Sequence, residues 1–286
     1  KILKKLEKYL IKSRDQQSSH WKNYLENSDF NNIEKSFGFG IFEKKSMLHT
    51  PIHLFFQKLI FGMRIFYTDE YKLFKKLCDL QNRQLDVDVM KHIFTFNFLN
   101  RYNAIKNNIC VIGDGKANFV GGLLAMNSKD IKIFSINLTE VLIHDYLMIR
   151  KTNLIDDESI IVVENEKDLE HPNKKLYLID ASKNYLLKNK NINLFVNIAS
   201  MQEMKKETVK DYFQIIKSNS SYFYCCNRAY KKLIGGEELI FNQYPWGKPK
   251  KIVWENCQWY KKSYLFKYPY IFKMDGIVKH ALVKYL

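Results

Sequence analysis

Cys110-Val111-Ile112-Gly113-Asp114-Gly115-Lys116-Ala117-Asn118-Phe119 joins an apolar run to a Gly-Asp-Gly turn, and Val120 and Leu124 continue it at helical spacing. Two glycines at a strand-to-helix turn let the backbone approach a ligand, and a helix start offers free N–H groups there. Asp114 would repel a phosphate but suits a ligand carrying an amine or a sulfonium. The chemistry expected is binding of S-adenosylmethionine rather than of NAD or ATP. A tight turn with no ligand is the alternative. Other chemistry-bearing residue types read more plainly. His49-Thr50-Pro51-Ile52-His53 has the spacing of paired metal ligands, but Pro51 lies between them and no acidic third ligand is evident, so no metal is expected. Asp156-Asp157-Glu158 reads as a solvated loop, and Cys225-Cys226 as packing residues rather than nucleophiles.

The elements that must position the turn follow from the patterning. The chain has 286 residues, enough for one large α/β domain and an accessory segment. Residues 1–105 read as a helical N-terminal segment. Ile2, Leu3, Leu6 and Leu10 share a helical face with lysines largely elsewhere, which suits either a membrane surface or, preferably, packing on the domain. Phe37-Gly38-Phe39-Gly40 reads as a loop. Thr50-Pro51 reads as a helix start, followed by helical patterns over 52–66 and 69–80. From residue 106 onward strands and helices alternate. Strands are expected at 109–113, 131–138, 160–164, 176–180, 194–199 and 222–227, with helices over 138–151 and 201–217. That alternation predicts a Rossmann-like, doubly wound and mostly parallel α/β sheet, ending in a basic aromatic part over 240–286. Ligands in such sheets sit at the carboxyl ends of strands, so the turn, Asn137, Asp180 and Asn197 should converge on one site.

Hydrophobic content of 46% and aromatic content of 15% are those of a folded protein. The net charge of +16 favours anionic partners, although lysine, asparagine and isoleucine are abundant together, as a biased genome composition would also produce. Five cysteines, an odd number with no Cys-x-x-Cys pair, suit a reducing cytoplasmic compartment. No signal peptide is read. The most apolar segment, 54–66, is broken by Gln57, Lys58 and Arg64, so it is not expected to span a membrane.

Val111-Ile112-Gly113-Asp114-Gly115 is similar to the first motif of class I S-adenosylmethionine-dependent methyltransferases. The resemblance implies that the turn, with Asn118 and Phe119 after it, faces the methionine part of the cofactor. It implies a ribose contact at the end of the second strand, where Asn137 stands in place of the usual acid and Glu140 follows by one turn. Asp180 and Ala181 then look like the adenine contact, with Asn197 at the next strand end. A narrower resemblance covers roughly residues 108 to 260. Phe195-Val196-Asn197-Ile198-Ala199-Ser200-Met201-Gln202-Glu203-Met204, then Tyr212-Phe213, Tyr224-Cys225-Cys226-Asn227-Arg228, Gly236-Glu237 and Tyr244-Pro245-Trp246 look like the putative sugar O-methyltransferases of bacterial surface-polysaccharide gene clusters.

That resemblance implies methylation of a sugar hydroxyl for capsule or lipopolysaccharide, which needs positioning and a general base. Glu203 is the first candidate base. Its alternative role is a helix N-terminal carboxylate closing a capping box with Ser200. His144 is the second candidate. Ser200, Gln202, Asn227, Arg228, Lys232, Tyr244 and Trp246 are expected to bind the acceptor. Arg228 would grip a phosphate or carboxylate of a nucleotide-linked or lipid-diphosphate-linked sugar, or else pair with Glu237 or Glu238. Tyr244 and Trp246 would stack on a sugar, or else lie in the core. Rival acceptors are an amine, a phosphoramidate or a small metabolite. A rival of another class is a basic RNA-binding protein, but no RNA-binding module is visible and no nucleic acid is expected. A peripheral contact with an anionic membrane is kept open, as is the oligomeric state.

Overall fold

A computed structural model describes residues 1–10, 17–26, 46–126, 131–219, 221–266 and 268–286. The Phe37–Gly40 loop expected above lies outside these residues. Six strands run parallel: β1 (Asn108–Ile112), β2 (Lys132–Asn137), β3 (Ile160–Val162), β4 (Leu176–Asp180), β5 (Leu194–Ile198) and β6 (Tyr222–Arg228). The C-terminal part adds the β7–β8 hairpin (Tyr230–Lys232, Glu238–Ile240), β9 (Lys250–Asn256), the β10–β11 hairpin (Lys262–Tyr264, Ile271–Lys273) and β12 (Val278–Lys284). The main sheet has the order β3-β4-β2-β1-β5-β6-β12-β9, with β12 antiparallel to both neighbours. The fold is thus α/β, Rossmann-like and mostly parallel.

Successive strand residues face opposite sides, and the two sides bury separate cores. Ile109 and Val111 of β1 join one core, with Phe74, Val89 and Phe96 from the N-terminal helices. Cys110 and Ile112 join the other, with Phe195, Phe213 and Tyr212. The N-terminal helices α1 (Ile2–Glu7), α2 (Ser19–Glu26), α3 (His49–Phe61), α4 (Asp69–Leu80) and α5 (Val87–Arg101) precede the sheet. The 52–66 pattern stops at Phe61, because Gly62 takes φ +74° and a short 3-10 turn follows. Thr68 caps α4, its hydroxyl accepting from the Tyr71 N–H, and Asp86 caps α5 by accepting from the N–H groups of Asp88 and Val89. Within the sheet domain α6 (Asn118–Ala125) follows β1, α7 (Thr139–Arg150) follows β2 and α8 (Lys206–Ser218) follows β5. A side chain at Gly121 or Gly122 would run into Leu77 or Phe74, so this bare pair lets α6 lie close against α4.

The amphipathic α1 packs on the domain, the preferred of its two readings: Ile2 and Leu6 are buried, the helix lies against α7 and β3, and Lys5 bonds Glu164 at 3.1 Å. One expectation is corrected. The helix expected from residue 201 begins only at Lys206. Residues 201–203 form a 3-10 turn whose N-terminal Ser200 makes no side-chain cap, so there is no capping box. All five cysteines are buried and free.

Candidate functional site

The chain crosses from β1 to α6 through a turn of unusual backbone. Gly113, Gly115, Lys116 and Ala117 all have positive φ, between 49° and 70°. For Lys116 and Ala117 this conformation costs roughly 1 kcal/mol each, so other contacts must hold it. Asp114 accepts from the N–H groups of Phe119 and Val120, both at 2.8 Å. Asp145 of α7 accepts from the Ala117 N–H at 2.8 Å and from the Asn137 amide at 3.3 Å. Burial pushes both carboxyls up, and the Asp114 charge pushes Asp145 further. Asp114 is therefore committed to its own helix start. It does not reach outward to a ligand amine as expected.

Beside this turn, the end of β5 is stitched to its neighbours. The Asn197 amide donates to the Ile112 carbonyl at 3.0 Å and to the Ser200 hydroxyl, and its oxygen accepts from Met201 N and Asn227 Nδ2. The Ser200 hydroxyl also donates to the Ile112 carbonyl, at 3.0 Å. A Cβ at Gly113 would lie 2.2 Å from Ser200 Oγ, so only glycine fits where the two strand ends meet.

Two cavities open here, at the carboxyl ends of the strands and on either side of the β1–β5 reversal of strand order. The wider one, about 200 Å³, is walled by the turn, by Asp88, Lys91 and His92 of α5, and by Gln202, Asn227 and Arg228. The narrower one, about 40 Å³, is walled by Ile136, Asn137, Leu138, Ala181, Tyr212 and, from α2, Trp21. Gly113 and Glu203 line both.

Glu203 is buried at this junction. Its carbonyl accepts from the Ser18 hydroxyl, and its Oε2 has no hydrogen-bond partner among the described residues. His20 Nε2 stands 3.7 Å away. Burial pushes the Glu203 pKa up to about 7, while Lys231, a hydrogen bond from the Gln202 side chain and Arg228 hold it back. Burial and Lys231 lower that of His20, so near neutral pH the pair is not an ion pair. A carboxyl with these properties can exchange a proton at neutral pH.

No family model matches this chain, and no curated protein matches it. Among solved structures, the chain is similar to Thermoplasma acidophilum 1320 (9% identity, 76% of this chain and 98% of that one, TM-score 0.45). It is also similar to the methyltransferase domain of bacterial CtHen1-C (9%, 70% and 99%, 0.44) and to an S-adenosylmethionine-dependent methyltransferase of Clostridium acetobutylicum (12%, 83% and 99%, 0.38).

The expected residues divide by place. Gly113, Asp114, Gly115, Asn118, Gln202, Asn227 and Arg228 line the wide cavity. Asn137, Ala181 and Ser200 line the narrow one. Asn118 receives a 2.6 Å bond from Arg83, and Arg228 lies 3.4 Å from Asp275 rather than beside Glu237 or Glu238. The others, Glu203 apart, line neither cavity. Phe119 is core, packed on Phe96. Glu140 is buried and accepts from Gln17 at 3.3 Å. Asp180 accepts from the Thr139 hydroxyl and from Ser182, capping the next turn instead of facing a purine. Asn197 is the stitch described above. His144 is buried within α7, and burial lowers its pKa to about 4. Lys232 is exposed on β7. Tyr244 and Trp246 are buried among Phe213, Phe241 and Trp254, on the core side of the alternatives weighed for them.

Sequence reasoning missed Asp145, Asp88, His92 and Trp21. Asp145 carried a signal: an acid between Leu142, Tyr146 and Ile149 interrupts the buried side of α7, and a buried acid needs partners. Asp88 pairs with the buried Lys91 at 2.9 Å, and burial lowers the pKa of His92 to about 3. Among the described residues no group of three His, Cys, Asp or Glu is placed to hold a metal. His53 is bonded to Tyr264 instead.

Proposed function

We propose that this chain is an S-adenosylmethionine-dependent methyltransferase that O-methylates a sugar hydroxyl in the making of bacterial surface polysaccharide. The observation that carries the reading is the junction: a narrow lobe and a wide lobe share Gly113 and a protonatable Glu203 at the strand ends, and charged and amide side chains line the wide one among apolar neighbours. When bound, S-adenosylmethionine supplies a methyl group activated by the sulfonium charge. Ile136, Leu138, Ala181 and Tyr212 offer the apolar walls an adenine needs, with Asn137 and Ser200 as polar neighbours. The narrow lobe holds a few waters' volume, not a purine's, so part of its wall, for which Trp21 of α2 is our candidate, has to give way for the cofactor to be seated.

The chain's own contribution is then positioning and proton transfer. The wide lobe would hold the acceptor hydroxyl beside Glu203, whose carboxylate takes the hydroxyl proton as the oxygen bonds to the methyl carbon, while the carbon–sulfur bond breaks and its electron pair stays on sulfur as a neutral thioether. Arg228, only weakly held by the exposed Asp275, is available to grip an acceptor phosphate, with Lys231 adding positive potential nearby. A nucleotide-linked or lipid-diphosphate-linked sugar suits that cation. Calorimetry with S-adenosylmethionine and S-adenosylhomocysteine tests the cofactor: the reading requires binding, and failure of both at millimolar concentration removes it. Mass spectrometry of surface glycan with and without the gene tests the acceptor, and an unchanged methylation pattern removes the sugar assignment alone.

A further inference from the structure

Helix α3 is turned inside out. The two residues it buries are polar, His53 and Gln57, while Phe56 and Phe61 pack beside them partly covered; His53 Nδ1 lies 2.5 Å from the Tyr264 hydroxyl. Gln57 donates to that hydroxyl at 3.0 Å and to the Leu85 carbonyl at 2.7 Å. The side it shows outward is apolar: Ile52, Phe55 and Leu59 recur at helical spacing, with Leu48 before them and Met63 after. Phe55 and Leu59 are 58% and 57% exposed, and Leu48 is 81% exposed. A helix that packs only on its own domain places these residues the other way round.

The β10–β11 hairpin continues this surface. Phe56 of α3 stacks on Tyr264 and Tyr270, and His53 meets Phe266 edge-on at 4.6 Å. Leu265, Phe266, Tyr268, Tyr270 and Ile271 of the hairpin are themselves exposed, Tyr268 at 86%. Among the described residues nineteen large apolar side chains are exposed, and twelve of them fall in 46–68 and 256–274. Neither stretch contains an aspartate or glutamate. Arg64, Lys261, Lys262 and Lys273 are exposed there.

Aliphatic and aromatic side chains mixed with cations, with the exposed acids Asp69, Glu255 and Asp275 only at the ends of the two stretches, form the kind of surface that an anionic lipid interface takes up. A second copy of the chain is disfavoured, because a two-fold contact would set this cation-bearing face against itself. No helix among the described residues is long and apolar enough to cross a membrane, so the contact would be peripheral. We propose that α3 and the β10–β11 hairpin form a docking face for an anionic lipid bilayer. The base of the hairpin, where Met274 N donates to the Lys261 carbonyl, adjoins the wide cavity, which Met274 lines. The docked protein would therefore hold that cavity near the lipid surface. None of this depends on the methyltransferase reading.

The test is co-sedimentation with vesicles of phosphatidylcholine alone and of phosphatidylcholine mixed with phosphatidylglycerol. The whole chain is expected to sediment with the mixed vesicles, to stay behind with the neutral ones, and to release as salt is added. F55S with L59S, and K262E with K273E, should each reduce binding at least about tenfold, with thermal melting unchanged because all four side chains are at the surface. Absence of binding by the unaltered chain, or equal binding by both variants, overturns the proposal. So does light scattering that shows a dimer dispersed by F55S with L59S.

Discussion

A carboxyl with an unbonded oxygen, buried at the meeting of two cavities, avoids its desolvation cost by keeping its proton, and Glu203 keeps it up to about pH 7. A base must first lose that proton, so turnover should rise with pH through about 7 and level off above it. E203Q should abolish that limb and lower turnover about 100-fold, while calorimetric cofactor binding persists. H144N should leave turnover nearly intact, because His144 lines neither cavity. A pH–rate profile of the three proteins decides this, and an unchanged limb in E203Q would remove Glu203 from the reaction. The same group has a stability signature. Its folded pKa is raised from 4.5, so its contribution is whole below pH 4.5 and is lost as pH rises through 7. E203Q should thus gain stability over the unaltered chain in denaturant titrations well above pH 7, by up to about 3 kcal/mol, and gain little in acid. At this scale the sequence was partly legible. Glu203 and Gly113 could be singled out from their places after apolar runs. Asp114 and Asp180 were misassigned because an acid in a turn serves the nearest free N–H groups first, and spacing does not reveal which groups are free.

Elements were read more faithfully where burial is two-sided. The six parallel strands are near-continuous apolar runs, since helices or turns cover both faces, and their expected and observed ends differ by only one or two residues in most cases. β9 and β12 were not anticipated: lysines at 250, 251, 279 and 284 dilute their patterns toward an edge of the sheet. The start of α8 was placed five residues too early because Ser200 and Glu203 mimic a capping box, while tertiary bonds to Ile112 and Asn227 hold that stretch as a 3-10 turn. The turn after β1 and that 3-10 turn act as one element, joined at Gly113. G113A would put a methyl onto Ser200 and force a left-handed backbone on alanine. It should lower the melting temperature and weaken S-adenosylhomocysteine binding together. S200G removes the obstructing side chain, so the G113A/S200G double variant should recover part of both. No recovery would mean that the backbone angle alone sets the cost.

For the whole molecule the sequence supplied the basic balance but not its arrangement. Composition suggested anionic partners, and the amphipathic α1 offered one place for a membrane contact, with packing on the domain as its preferred reading. Folding buries the apolar side of α1 and turns that of α3 outward, a choice settled by tertiary partners such as Tyr264 that lie some two hundred residues away in the chain. The N-terminal segment is equally part of the site: α5 walls the wide cavity, and α2 lays Trp21 across the narrow one while Ser18 and Ser19 bond Glu203 and Glu237. In the proposed reaction a cofactor seated in the narrow cavity would displace Trp21 on arrival and release it on departure. Departure of the spent cofactor, rather than bond making, would then pace the cycle. Rapid-quench assays should show a burst of about one product per protein molecule before the steady rate, and W21A should erase the burst by speeding that rate. A linear time course in the unaltered chain would place the slow step in the chemistry instead.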